Sequence, residues 1–316
     1  MRDINYNIKS VIFGHAIADA LGVPVEFCDR SEIDESPVTD MMGYGTYPYP
    51  EGSWSDDTSM SLCALDSLAK GKIDYEDIMN NFIKWLNDSD YTPTGEAFDV
   101  GRTCLKAIIV YCQTRDVNTC GRIVEQSNGN GSLMRMHPMT LYLHTRSDLS
   151  IEEKIEIIHN TSALTHAHER SKIGCGIFSF VLWELLDNPD KESVITGLNK
   201  AKEYYKGYSE LSKYERIFDK TFILTKRDDI SSSGYVVSTL EAALWCLLTT
   251  NSYSECVLKA VNLGDDTDTV GAVSGALAGA LYGLEAIPDK WISDLKRKDY
   301  IEDMCERAAK TWQINK

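Results

Sequence analysis

Two acidic clusters lie near opposite ends of the chain and look like halves of one site. The first is Gly52-Ser53-Trp54-Ser55-Asp56-Asp57-Thr58, with Glu26 upstream; the second is Gly264-Asp265-Asp266-Thr267-Asp268-Thr269. Each gathers carboxylates and hydroxyls within a few residues, and each runs directly into an apolar helical pattern. Carboxylates at that density repel one another unless something neutralises them. Hard oxygen donors of this kind suit Mg²⁺, Mn²⁺ or Ca²⁺ rather than Zn²⁺. Either cluster alone reads as an ordinary helix N-cap. The same device used twice, with Glu26 beside it, points to a two-metal site. Ser55, Asp56 and Asp57 offer one set of ligands, and Asp266, Asp268 and Thr269 a matching set.

Two further stretches carry chemistry. Gln126-Ser127-Asn128-Gly129-Asn130-Gly131 has strong turn character, and its backbone N–H groups are suited to an anion-binding nest, with a helix N-terminus helping. In Thr165-His166-Ala167-His168 the histidines are two apart. That spacing does not suit a helical zinc pair, and it predicts a capping or sugar-contacting histidine.

These residues need a scaffold, and the hydrophobic period supplies a helical one. Apolar residues recur at helical spacing over Ile8–Asp19, Met60–Leu68 (ending near Lys70-Gly71), Ile78–Leu86, Leu105–Cys112, Ile151–Ser162, Ser171–Leu186, Thr239–Leu248 and Cys256–Val261. Alternating strand patterns are scarce, so the chain reads as all-α. After the second acidic cluster, Gly271, Gly275, Gly279 and Gly283 repeat every four residues. Each glycine costs a helix about 1 kcal/mol against alanine, so another helix is expected to approach closely on that side. Ser31–Pro50, Asp88–Arg102 and Gln126–Gly131 read as loops. Lys191–Asp229 reads as helical, solvated surface without assignable chemistry. No linker composition divides the 316 residues, and one domain over 1–316 is expected.

Composition narrows the partners. With 32 Lys and Arg against 48 Asp and Glu, the net charge is −16. That argues against nucleic acid or an anionic membrane as the main partner. The N-terminus lacks a continuous apolar core of the signal-peptide kind, and nine scattered cysteines without a Cys-x-x-Cys pair read as reduced thiols, so a cytoplasmic protein is expected. The run from Val270 to Leu284 is too short to span a membrane.

Taken together, the motifs resemble the ADP-ribosylglycohydrolase family. The resemblance rests on Ala18-Asp19-Ala20-Leu21-Gly22-Val23-Pro24-Val25-Glu26, Trp54-Ser55-Asp56-Asp57-Thr58, Gly129-Asn130-Gly131-Ser132-Leu133-Met134-Arg135, Thr165-His166 and Gly264–Thr269, in that order. It implies an orthogonal helical bundle with a dinuclear Mg²⁺ (or Mn²⁺) cleft, acting as a monomer on an ADP-ribosylated protein or an ADP-ribose-containing small molecule. By carry-over, Ser55, Asp56, Asp57, Asp266, Asp268 and Thr269 are the metal ligands. Ser127, Gly129, Asn130 and Gly131 form the diphosphate loop, and His166 contacts the ADP-ribose body. The implied reaction is hydrolysis at C1″ of the distal ribose, with Asp57 accepting the proton of the water and Glu26 acting on the leaving group. An arginine adduct is the expected substrate. A serine or other linkage, a two-metal phosphoesterase and a non-catalytic ADP-ribose binder remain as alternatives. The chain departs from the family pattern at Ala18 (usually Gly), Ser55 (usually Thr) and Asp265 (often a second Gly). Serine keeps the hydroxyl but loses the methyl that restricts its rotamer.

Overall fold

Backbone hydrogen bonding is helical throughout the computed structural model, which describes residues 2–314. Among the described residues the only β-pairings are isolated bridges between Arg122 and His166 and between Gly129 and Tyr235. The first half contains α1 (Ile4–Gly22), α2 (Arg30–Glu35), α3 (Asp56–Leu68), α4 (Tyr75–Asp88), α5 (Arg102–Thr114), α6 (His137–His144) and α7 (Ile151–Ala163). The second contains α8 (Glu169–Asp187), α9 (Lys191–Tyr204), α10 (Val236–Leu248), α11 (Tyr253–Val261), α12 (Thr267–Tyr282), α13 (Asp289–Asp294) and α14 (Lys298–Ile314).

The centre of the fold is an antiparallel crossing of α1 and α12. The glycines of α12 face a matching small-residue stripe on α1, namely Ser10, Gly14, Ala18 and Gly22. A methyl group at Gly275 would overlap the Gly14 carbonyl oxygen, and one at Gly279 would overlap that of Ser10. The expected close approach is therefore real, and α1 is the partner. Dispersion contacts between the two backbones offset the helix cost of the glycines. Gly283 is the exception. It follows the last helical residue with φ 91°, so it ends the helix, and it meets the Tyr6 side chain of α1 rather than the backbone of the small-residue stripe. The Ala18 methyl sits against Gly275, where a second methyl would not fit. This crossing fixes the site, because Gly22 lies directly on the Asp268 backbone.

Two expectations change, and one helix needs comment. Arg30–Glu35, the start of the stretch read as a loop, forms a helical turn in which the Glu32 carboxylate accepts the Asp29 N–H at 2.9 Å. Lys191–Asp229 is not simply a solvated surface. Its Tyr205 and Tyr214 are fully buried against α8, where Gly176 and Gly174 leave room for the two hydroxyls. The Tyr214 hydroxyl donates to the Arg170 carbonyl at 2.8 Å. The polar residues of this stretch face outward and mask the buried set in a composition count. Finally, α1 with the adjoining turn, Ile4–Val25, is long and apolar enough to cross a membrane by length and composition, but 89% of its most apolar window is buried inside the protein. Seven of the nine cysteines are buried and none is disulfide-bonded.

Candidate metal centre and ligand cleft

The N-terminus of α3 presents the first acidic cluster. The Ser55 hydroxyl accepts the Asp57 N–H at 3.2 Å and caps the helix. Asp19, from α1, accepts the Ser55 N–H (3.0 Å), the Thr58 N–H (3.1 Å) and the Thr58 hydroxyl (2.6 Å). With these donors already satisfied by other groups, the Asp57 side chain is free to face α12, while the Asp56 carboxylate accepts the Gly101 N–H at 3.4 Å at the start of α5.

The N-terminus of α12 presents the second cluster. Carboxylate oxygens of Asp19, Asp57 and Asp268 lie within 4.8 Å of one another, as do those of Glu26, Asp266 and Asp268. The Thr269 hydroxyl donates to Asp57 at 3.4 Å and joins the two halves. Both carboxylate oxygens of Asp268, one of Asp57 and one of Glu26 are buried without a hydrogen-bond partner. Buried carboxylate oxygens are costly when unsatisfied. Oxygen-only donors, high negative charge and unpartnered atoms together fit a hard divalent cation.

The electrostatics follow from the same crowding. Burial, then Asp99 and Asp266, push the Glu26 carboxyl up to about 9. Burial raises Asp19 to about 7. Burial is also the main cause that holds Asp56, Asp57 and Asp268 well above the usual carboxylate range, with neighbouring acids adding to it. Protons and metal ions are alternative ways to neutralise this cluster.

Above the acids lies a cleft of about 380 Å³. Glu26, Asp56, Asp266 and Thr269 line one side, and Gln126, Gly129, Asn130, Gly131 and His166 line the other. Asp57 and Asp268 are fully buried below it, and Ser55 stays behind as the cap of α3. Within the glycine turn, Asn130 links the two sides: its amide donates to Asp266 at 2.7 Å and to Thr239 at 2.9 Å. Two details of the turn differ from expectation. Ser127 is buried, and its neighbour Gln126 lines the cleft in its place. No helix starts directly after the turn, because residues 132–135 form turns and α6 begins at His137. The two histidines separate in role: His168 Nδ1 accepts the Arg170 N–H at 3.1 Å and caps α8, while His166 faces the cleft.

Two acids were missed by the sequence reading. Asp19 stands on a largely apolar helical face that it shares with His15, and a buried carboxylate there was a usable signal. Asp99 lies in the Asp88–Arg102 loop, where no local pattern marks it. It lines the cleft, accepts the Tyr47 hydroxyl at 2.9 Å and has a left-handed backbone at φ 50°. Phe27 (φ 63°) and Asp265 (φ 65°) line the same cleft in the same unusual conformation. The Phe27 N–H donates to the Asp265 carbonyl at 2.7 Å, and the Asp265 N–H donates to that of Cys28 at 2.9 Å. Non-glycine residues in this region cost about 1 kcal/mol or more each and gather at functional sites.

Comparison with known proteins gives the same assignment. The sequence profile of ADP-ribosylglycohydrolase matches residues 2–316. The ADP-ribosylarginine hydrolase Tri1 of Pseudomonas putida (strain GB-1) is 31% identical over 299 residues, covering 94% of this chain and 76% of that protein. The ADP-ribosyl-[dinitrogen reductase] glycohydrolase of Rhodospirillum rubrum is 30% identical over 289 residues, covering 90% of this chain and 88% of its own. Among solved structures, an ADP-ribosylglycohydrolase-related protein complex matches with a TM-score of 0.83 and 28% identity, over 99% of this chain and all of that one. The chain belongs to the ADP-ribosylglycohydrolase family and is an enzyme with glycohydrolase activity.

Proposed function

We propose that this enzyme removes ADP-ribose from arginine side chains of modified proteins by hydrolysing the bond at C1″ of the distal ribose. The observation that carries the reading is the set of buried, unpartnered carboxylate oxygens of Glu26, Asp57 and Asp268 on the floor of a cleft whose opposite wall is the Gly129–Gly131 turn and His166. Two Mg²⁺ (or Mn²⁺) ions, held by Ser55, Asp56, Asp57, Asp266, Asp268 and Thr269, would bind ribose hydroxyls and lower the pKa of a water. The protein residues do the rest. The glycine turn and His166 hold the ADP-ribose body against the acids. Asp57, fully buried, takes the proton of the attacking water as electron demand grows at C1″. Glu26, which burial and its acidic neighbours favour in the protonated form, lines the cleft and gives that proton to, or polarises, the leaving nitrogen.

The choice of arginine rests on the cleft mouth and on the relatives. Next to Glu26, the Phe27 side chain is 64% exposed, and Asp265 stands exposed beside it. An exposed ring next to a carboxylate suits a guanidinium, which stacks on aromatic faces and pairs with acids. The Pseudomonas relative is named for ADP-ribosylarginine. The experiment offers the enzyme arginine-linked and serine-linked ADP-ribosyl peptides of otherwise equal sequence and identifies the products. Intact ADP-ribose with a higher kcat/KM for the arginine linkage is expected. AMP as product would replace this reading with phosphate-bond cleavage, and a preference for serine would overturn the acceptor alone.

A further inference from the structure

Arg135 is fully buried beneath the glycine turn and has no carboxylate partner among the described residues. Its Nε and Nη1 make no hydrogen bond, and its guanidinium lies 4.9 Å from the centre of the Phe82 ring. A buried, unpaired cation is expensive for a fold, so its position calls for a reason. The remaining nitrogen, Nη2, donates to the Thr165 hydroxyl at 2.7 Å. That hydroxyl lies 2.8 Å from Nδ1 of His166.

The donors along this line are fixed by chemistry. A guanidinium only donates, so the Thr165 oxygen accepts from Arg135. Threonine has a single hydroxyl hydrogen, which then points to Nδ1 of His166. Of the acceptors within reach of that hydrogen the imidazole nitrogen is the strongest, which assigns Nδ1 as the bare nitrogen and the imidazole proton to Nε2. The ring is neutral, because burial and the Arg135 charge lower its pKa to about 3. The Cys104 thiol is a competing acceptor for the Thr165 hydrogen, but sulfur accepts weakly beside an imidazole nitrogen. Nε2 lies on the side of the glycine turn: methyl groups at Gly129 and Gly131 would stand 3.6 Å and 3.5 Å from it.

We propose that Arg135 and Thr165 are positioning residues that hold His166 in its Nε2–H tautomer, so that the cleft wall presents a fixed hydrogen-bond donor to an oxygen of the bound ligand. The opposite tautomer would face the same oxygen with a lone pair. The buried Arg135 charge also sets a positive potential behind the turn, on the side away from the acids. That the ligand oxygen belongs to ADP-ribose rests on the function proposed above; the tautomer assignment does not.

The test begins with the wild-type protein. Long-range ¹H–¹⁵N NMR distinguishes the two tautomers of a neutral histidine, and His166→Gln identifies the signals among the six histidines. The Nε2–H pattern is expected, and an Nδ1–H pattern overturns the proposal without recourse to any variant. Thr165→Val should remove the preference and give a mixed or inverted tautomer. It should weaken ADP-ribose binding, read by calorimetry, about threefold to tenfold, the range of one neutral hydrogen bond. In turnover the loss should appear in KM more than in kcat. Thr165→Ser, which keeps the hydroxyl, should restore the tautomer and the affinity. Wild-type tautomer and affinity in folded Thr165→Val protein would refute the relay. Failure of the wild-type protein to bind ADP-ribose would instead remove the ligand assignment, and the tautomer spectrum would still stand or fall alone.

Discussion

The two acidic helix ends are built from similar residues but held in different ways. At α3 the protein satisfies its own groups: Ser55 caps Asp57, and Asp19 gathers the N–H groups of Ser55 and Thr58. At α12 no side chain caps the helix. Asp266 is held by Asn130, Thr267 donates to the Gly22 carbonyl at 2.8 Å, and Asp268 is left with neither oxygen partnered. The first half is thus a structural joint as well as a ligand set. The second is positioned by the tight helix crossing, which brings backbone but no neutralising donor. Uncompensated charge therefore concentrates at Asp268, and the variants below test that asymmetry.

The largest effect is expected at the unpartnered acids. Asp57→Asn and Asp268→Asn should each lower kcat about a hundredfold or more by removing a metal ligand and its charge. The asymmetry predicts that the two differ in stability. Without metal, Asp268→Asn should raise the melting temperature at alkaline pH, because it removes an unpartnered ionisable group whose charge burial and the neighbouring acids disfavour. Asp57→Asn should gain less, since Asp57 already accepts the Thr269 hydroxyl. Parental turnover with saturating metal in either variant would remove that residue from the site. Equal melting temperatures would remove the asymmetry.

Metal removal should follow in size. EDTA should abolish turnover, and Mg²⁺ or Mn²⁺ should restore it. The pH dependence of stability gives a second readout. Glu26 and Asp19 have folded pKa values raised to about 9 and about 7, against about 4 in an unfolded chain. The folded protein therefore holds more protons than the unfolded chain between those limits. The stability that these two groups contribute is fully present below pH 4 and is lost as pH rises through 7 and 9. Metal-free protein should melt at falling temperature from pH 5 to 9, and bound metal should flatten that slope. Parallel slopes with and without metal would show that the cation does not contact this cluster.

How far this was legible from sequence depends on the kind of signal. Strong periodicity located α1, α3, α4, α7 and α8 closely, and the glycine spacing announced a close helix contact. The two acidic motifs were legible because each is local. Asp99 was not, since only tertiary folding carries a loop residue 42 positions from Asp57 into the same cleft. The short α6 has too few turns to show a period, and the α14 stripe of Ile301, Met304, Cys305, Ala308 and Trp312 was overlooked among its charged residues. That Ser127 is buried while Gln126 lines the cleft is a further detail that motif order does not carry.

Asp19 tests the joint at α3. Asn can present only one oxygen to donors that now share two, and its NH₂ group would face the Ser55 N–H. Asp19→Asn should therefore cost about 1–3 kcal/mol of stability, the price of an unsatisfied buried donor. Because the first turn of α3 would shift, kcat should fall about tenfold even though Asp19 need not touch substrate. Asn130→Ala, the counterpart in the second half, should cost less stability, since α12 remains held by α1. Denaturant titration of the two variants orders them, and the reverse order would mean that Asn130 is the stronger tie.

The smallest effect, and the sharpest probe of the difference between the halves, is at Ser55. Its hydroxyl already caps α3, so its role as a ligand is separable from its role as a cap. Ser55→Ala should cost about 1 kcal/mol of stability through the lost cap, whatever the metal does. Ser55→Thr keeps the oxygen, and its added methyl restricts rotation about χ1. If the oxygen is a ligand, that restriction should tighten metal binding about twofold to threefold, corresponding to a few tenths of a kcal/mol of rotamer entropy. The site is buried, with Ser55 1% exposed, so the melting temperature of metal-free Ser55→Thr must first match that of the parent to show that the methyl fits. Given that match, unchanged metal affinity in Ser55→Thr and in Ser55→Ala would leave Ser55 as a cap alone and reduce the first half of the site to its two aspartates.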